Sequence, residues 1–168
     1  MKKHISLFLT AMLVLGACGD SQAPQTTAST ADMTATPVEP ASLNEVQDVV
    51  IKSVGDEMKF DTAEFTVKAG TKVKLTLQNV ATSPAMQHNV VIMKPNSDAN
   101  AVGMAGMQAG PDKNYVPASD AVLFSTAIAM PGESKSVEFT APPAGDYPFI
   151  CTFPGHYVLM KGVMHSVN

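Results

Sequence analysis

The sequence contains no arginine, only two cysteines, and no apolar run long enough to cross a bilayer. Without arginine the chain has no planar, bidentate group for phosphate. Once the N-terminal Lys2 and Lys3 are set aside, nine lysines face fifteen acidic residues, a net charge near −6. Nucleic acid is therefore excluded as a partner, because phosphate binding needs clustered cations. The longest early apolar stretch, Ile5 to Leu15, follows that positive start. It has the length of a signal-peptide core and is too short for a membrane helix. The shortage of cysteine matters most. An exported protein meets an oxidising space in which disulfides are expected. If Cys18 is taken up by processing, Cys151 is left as a single thiol that needs protection or a purpose.

The segment Leu15-Gly16-Ala17-Cys18 looks like the bacterial lipoprotein signal, with small residues directly before a cysteine that becomes the first mature residue and carries lipid. The expected organisation is a signal peptide over 1–17, a tether attached through Cys18 over 18–45, and a folded domain over 46–168. On this reading the protein is exported and membrane-anchored by lipid on the periplasmic or cell-surface side. The alternative is an ordinary secreted protein in which Cys18 merely follows the cleavage site. Residues 19–45 are rich in Ser, Thr, Ala and Pro, with four acids, no lysine and almost no large apolar side chain. Such a composition cannot bury enough surface to fold and predicts a flexible linker.

From about Val46 short apolar runs alternate with turn residues, the pattern of an all-β domain. The clearest is Lys72 to Gln78, where Val73, Leu75 and Leu77 alternate with polar positions. Further strands are expected over Val49 to Val54, Glu64 to Lys68, His88 to Met93, Val122 to Ile128, Lys135 to Thr140, Asp146 to Cys151 and Lys161 to Val167. Gly70, Pro95, Pro131-Gly132 and Pro142-Pro143 separate them. About eight strands predict a Greek-key two-sheet sandwich or barrel. Residues 100–117 do not fit a strand and suggest a short helical flap, weakened by three glycines.

The chemistry concentrates in Cys151 to Met160. A thiolate (Cys151), an imidazole (His156) and a thioether (Met160) lie within one short loop, and His88 begins a strand that a sandwich can bring to the same pole. Two imidazoles and a thiolate in a trigonal set, with a distant thioether on the axis, suit one copper that cycles between Cu(I) and Cu(II). Taken singly, each residue has a plainer reading. A lone Cys ending an apolar strand or a Met is more often core filler, and His88 alone could be a satisfied core or surface histidine. The joint spacing favours copper. His165, in phase with Val163 and Val167 and five residues past Met160, reads as structural. Met104, Met107 and Met130 could be copper-delivery thioethers, although flap and core packing is the preferred reading.

The stretch Cys-Thr-Phe-Pro-Gly-His-x-x-Leu-Met-Lys-Gly, from Cys151 to Gly162, resembles the copper loop of the azurins, type 1 (blue) copper proteins of the cupredoxin family. Met86-Gln87-His88-Asn89 resembles their other ligand segment. The likeness extends from about residue 47 to 168. It includes Met58-Lys59-Phe60-Asp61 in an early strand and Asp112-Lys113-Asn114-Tyr115 at the end of the flap. The lipoprotein-type start and the Gln before His88 also resemble the auracyanins, azurin-like proteins of photosynthetic bacteria.

The resemblance implies that His88, Cys151 and His156 are equatorial ligands, that Met160 is axial, and that the Gln87 backbone carbonyl lies opposite Met160 as a weak ligand. Azurins have Gly at that position. It further implies that Asn89 ties the two ligand segments together and that Phe153 gives its backbone N–H to the Cys151 sulfur, a bond that tunes redox potential. The azurin disulfide has no counterpart here. Met86, Pro154 and Gly155 are expected to form an apolar ring through which the edge of His156 meets partners, with Met104 and Met107 as further candidates. The function implied is single-electron transfer, without catalysis, between redox proteins such as cytochromes or membrane oxidoreductases, by a monomer. The alternative is a periplasmic copper buffer or delivery protein. A copper oxidase or nitrite reductase would need further ligands that His165 alone cannot supply.

Overall fold

In the computed structural model the described residues are 46–168; the expected signal peptide, Cys18 and tether lie outside them. Eight strands and one α-helix follow in the order β1 (Val46–Lys52), β2 (Glu64–Lys68), β3 (Lys72–Gln78), β4 (Val91–Met93), α1 (Ala99–Ala109), β5 (Val122–Ser125), β6 (Ser134–Thr140), β7 (Gly145–Ile150) and β8 (Lys161–Val167). They form a three-stranded sheet, β1-β3-β6, and a five-stranded sheet, β2-β8-β7-β4-β5. The chain changes sheet repeatedly, with parallel pairs at β1/β3 and β2/β8, so the two sheets are mixed. The architecture is the expected two-sheet sandwich, not a closed barrel.

Alternation builds the core. Val73, Leu75 and Leu77 on β3 turn inward while Lys72 and Lys74 face water. They meet Phe139 of β6 and Phe149 and Met164 of the opposite sheet in one buried cluster. The Phe149 ring packs on Phe60 and Phe65, each at 5.5 Å between centroids. Where the sheets part at one edge, Gln47 of β1 takes the place of a strand. Its amide donates to the Thr66 carbonyl (2.8 Å) and accepts from the Lys68 N–H (3.2 Å).

Three strands differ most from the sequence expectation: β1, expected over Val49 to Val54, runs from Val46 to Lys52, and two others are shorter than expected. The run His88 to Met93 is regular only from Val91, and the strand begun at Val122 stops at Ser125. There the Thr126 N–H still donates to the Val90 carbonyl (3.0 Å), but the return bond goes to a side chain. The Thr126 hydroxyl accepts from the Val90 N–H (3.0 Å), and His88 makes a single isolated bridge to Ala129. That bridge pairs the His88 N–H with the Ala129 carbonyl (3.2 Å) and the Ala129 N–H with the His88 carbonyl (2.8 Å), which fixes the His88 backbone outside the regular strand.

The flap is a real helix despite its glycines. Asp98 caps it, accepting from the Asn100 and Ala101 N–H groups (2.9 and 3.2 Å). The inward face, Val102, Gly103 and Gly106, covers the outer side of the five-stranded sheet at Val91, Met93 and Ile150. For that reason β4 is buried on both faces. Met104 and Met107 lie on the opposite face of α1 and are 50 and 40 % exposed, and Met130 is 41 % exposed. Of the expected flap and core packing, Met104 and Met107 keep the place on the flap, but none of the three thioethers is in the core.

Candidate metal centre

Sheet register collects the metal-binding side chains at one pole. Antiparallel pairing sets Val91 beside Ile150 and Ile150 beside Lys161. The start of β4, the end of β7 and the start of β8 therefore share one end of the sandwich. His88 lies three residues before β4, Cys151 one after β7 and Met160 one before β8. The Cys151 N–H donates to the Met160 carbonyl (2.9 Å), closing the loop between them. Within it the His156 N–H donates to the Phe153 carbonyl (3.0 Å) and the Met160 N–H to the His156 carbonyl (2.8 Å). Gly155 has φ +83°, a turn that side chains resist.

His88, Cys151 and His156 converge and are buried. The two Nδ1 atoms are 3.2 Å apart, and the Cys151 Sγ lies 3.9 Å from His88 Nδ1 and 3.7 Å from His156 Nδ1. A point equidistant from three atoms at these separations is about 2.1 Å from each, against metal–imidazole bonds of ~2.0–2.1 Å and metal–thiolate bonds of ~2.3 Å. The donor atoms thus fit one small ion in a trigonal set of two nitrogens and one sulfur, without moving. Met160 is fully buried in the same core cluster as Cys151.

Burial sets the proton inventory. It pushes the Cys151 thiol up to about 12, opposed by the backbone N–H groups of Asn89 and Phe153 that donate to its sulfur. Burial, and then the nearby His156, bring His88 down to about 4, and burial also lowers His156. At neutral pH the metal-free cage is one thiol and two neutral imidazoles. The sulfur has donors ready for a thiolate, a charge that only a cation at this position makes favourable. His88 Nε2 is buried and has no hydrogen-bond partner among the described residues, so packing and the Nδ1 side orient this ring.

Around the cage, Asn89 is saturated. Its Oδ1 accepts from the Thr152 N–H (2.8 Å), and its Nδ2 donates to Thr152 Oγ1 (2.8 Å) and to the Asn114 carbonyl (2.9 Å). It joins the His88 segment to the Cys151 segment with its side chain and bonds the sulfur through its backbone, a second contact absent from the sequence expectation. Phe153 is half-buried, its ring 4.8 Å from that of His156. On the other side, buried Asn79 donates to the carbonyls of Met86 (2.7 Å) and Ala129 (2.9 Å), fixing the approach to His88. Asp56 holds the preceding turn, accepting from the Thr82 N–H (2.7 Å), the Thr82 hydroxyl (2.7 Å) and the Ser83 N–H (2.8 Å). Sequence reasoning missed Thr152, Asn114, Asn79 and Asp56. Thr152 was the most accessible of them, being next to Cys151.

The remaining candidates separate. Met86 and Gln87 are half-buried, and Gln87 donates a long bond to the Pro84 carbonyl (3.5 Å). Pro154 and Gly155 are exposed, whereas His156 is only 4 % exposed. His165 is not brought to the cage. It lies on β8, its Nδ1 2.7 Å from Asp146 and its Nε2 3.9 Å from Glu64.

Residues 47–166 match the family described as copper binding proteins, plastocyanin/azurin family. Auracyanin-A of Chloroflexus aurantiacus is 41 % identical over 116 residues, 68 % of this chain and 70 % of that protein. An azurin of Alcaligenes faecalis is 39 % identical over 116 residues, 65 % of this chain and 90 % of that protein. Among solved structures, auracyanin A, described as a "blue" copper protein, superposes with a TM-score of 0.67 at 39 % identity, over 73 % of this chain and all of that one.

Proposed function

This chain belongs to the plastocyanin/azurin family of copper-binding proteins, with one copper per domain, and on that premise we propose that it is a single-electron carrier. The observation that carries the reading is the preset triangle of two Nδ1 atoms and one sulfur. On this reading His88, Cys151 and His156 would hold the ion, and Met160 and the Gln87 carbonyl would add weaker contacts. Copper in such a set supplies reversible one-electron chemistry. The chain supplies the rest. Cys151 would bind as the thiolate, with the N–H groups of Asn89 and Phe153 to stabilise it. The buried walls keep water away, and the rigid cage fits either oxidation state with little rearrangement.

Electrons enter and leave beside His156, with Met86, Pro154 and Gly155 as the docking rim. A small apolar rim suits brief encounters, since electron-transfer complexes bury little surface. The partners are redox proteins such as cytochromes or membrane oxidoreductases, met by a monomer that is exported and tethered through lipid on Cys18. No helix among the described residues is long and apolar enough to cross a membrane. The family reading favours a carrier over an enzyme.

Absorption and EPR spectra of the copper-loaded full chain test this. One Cu(II) per chain is expected to give an intense blue thiolate-to-copper band that Cys151→Ser abolishes. A colourless complex, or colour that survives the substitution, would overturn the ligand assignment. A second reading, copper buffering or delivery, draws on the exposed thioethers of Met104, Met107 and Met130. Rapid loss of Cu(I) to a chelator, slowed by replacing these methionines with leucine, would favour it.

A further inference from the structure

The chain between α1 and β5 contains two successive non-glycine residues in the left-handed region, Asn114 (φ +52°) and Tyr115 (φ +57°). An asparagine adopts this conformation readily, but a tyrosine does so at a cost and only where surrounding contacts enforce it. The contacts are visible. The Asn114 N–H donates to the Pro111 carbonyl (2.9 Å) and the Tyr115 N–H to the Gly110 carbonyl (2.9 Å). The Asn114 side chain accepts from the Ile128 N–H (3.0 Å). Gly106 of α1 lies so close that a Cβ there would stand 2.6 Å from the Tyr115 carbonyl oxygen and 2.8 Å from the Thr152 Cβ.

The corner delivers two groups to the metal centre. The Asn114 carbonyl accepts from Asn89 Nδ2, and the Tyr115 ring meets Phe153 edge-on, centroids 5.2 Å apart at 73°. Asn89 and Phe153 are the two residues whose backbone N–H groups bond the Cys151 sulfur.

We propose that the Asn114–Tyr115 corner presets the metal-binding loop, acting as a pair of positioning residues that hold Asn89 and Phe153, and with them the two donors to sulfur, in place before the ion arrives. The inference rests on the ligand reading above but concerns the metal-free chain as well. Tyr115 acts through its ring: without that edge, Phe153 keeps only His156 as an aromatic neighbour and its peptide gains freedom. The corner's strain is maintained because α1, Asn89 and Phe153 all require this geometry.

The test compares wild type with Tyr115→Ala, Tyr115→Phe and, should the alanine variant not fold, Tyr115→Leu. In the metal-free full chain, hydrogen exchange at the Asn89 and Phe153 amides is expected to quicken about tenfold in the alanine or leucine variant, while core amides on β3 keep wild-type protection. Tyr115→Phe, which retains the ring, should restore protection. In the copper-loaded chain the charge-transfer band and reduction potential should shift with alanine or leucine and return with phenylalanine. Wild-type protection at both amides together with an unshifted band in Tyr115→Ala would overturn the proposal, and so would equal loosening of the β3 amides. A wild-type chain that binds copper without colour would instead overturn the ligand reading and leave the exchange result to decide this one.

Discussion

Cys151 and the two imidazoles are buried, and burial penalises charge, so each is held neutral in the metal-free protein over a wide pH range. The consequence for stability has a definite sign. His88 takes up a proton near 6.5 in the unfolded chain but only at about 4 when folded. Its contribution is therefore complete above pH 6.5 and is lost as pH falls through 4, by up to about 3 kcal/mol at roughly 1.4 kcal/mol per unit. His156 shifts in the same direction. Cys151 has the opposite shift, from 9.0 unfolded to about 12 folded, so stability declines above pH 9 as the unfolded thiol ionises. Urea denaturation of the metal-free chain should show its highest midpoint between these limits; a midpoint flat from pH 7 to 4 would refute the buried-imidazole account. At this scale the sequence was readable where spacing is local. Cysteine, then histidine five positions on, then methionine four further marks a ligand loop by itself. Asn114 and Asn79 could not be read this way, because an asparagine's partners depend on which backbone the fold brings beside it.

At the scale of elements, α1 shows how a composition can mislead. Gly103 and Gly106 count against a helix by propensity, at about 1 kcal/mol each relative to alanine. In the fold they are its contact surface: a Cβ on Gly103 would stand 2.2 Å from Tyr157 Cγ, in the middle of the ring. Gly103→Ala is accordingly expected to raise helix propensity yet lower stability, by roughly 1–3 kcal/mol of overpacking, with the change read in the denaturation midpoint. A more stable variant would mean that α1 does not bear on the loop containing His156. The eight strands were legible because alternating apolar residues state which face is buried, as in Val73, Leu75 and Leu77. The ends of β4 and β5 were not, since the Thr126 hydroxyl interrupts the ladder at a residue with ordinary strand propensity.

For the whole molecule, one sheet organises the site and the other closes the core beneath it. The five-stranded sheet brings β4, β7 and β8 together at one pole, while β1-β3-β6 supplies Ile51, Leu75 and Phe139 to the shared interior. This division lets the cage be rigid, because its ligands come from the ends of strands whose register is fixed by burial. The pole was foreseeable only in outline. Periodicity indicates a sandwich, but nothing local in His88 says that it meets Cys151, 63 residues later, across a strand pair.

The most direct measurement is a redox titration of the copper-loaded full chain in the presence of a Cu(I) chelator, followed at the charge-transfer band. A carrier should bleach with one electron per copper and regain its full colour on reoxidation, with copper retained throughout. Irreversible bleaching with copper passing to the chelator would contradict the electron-carrier account.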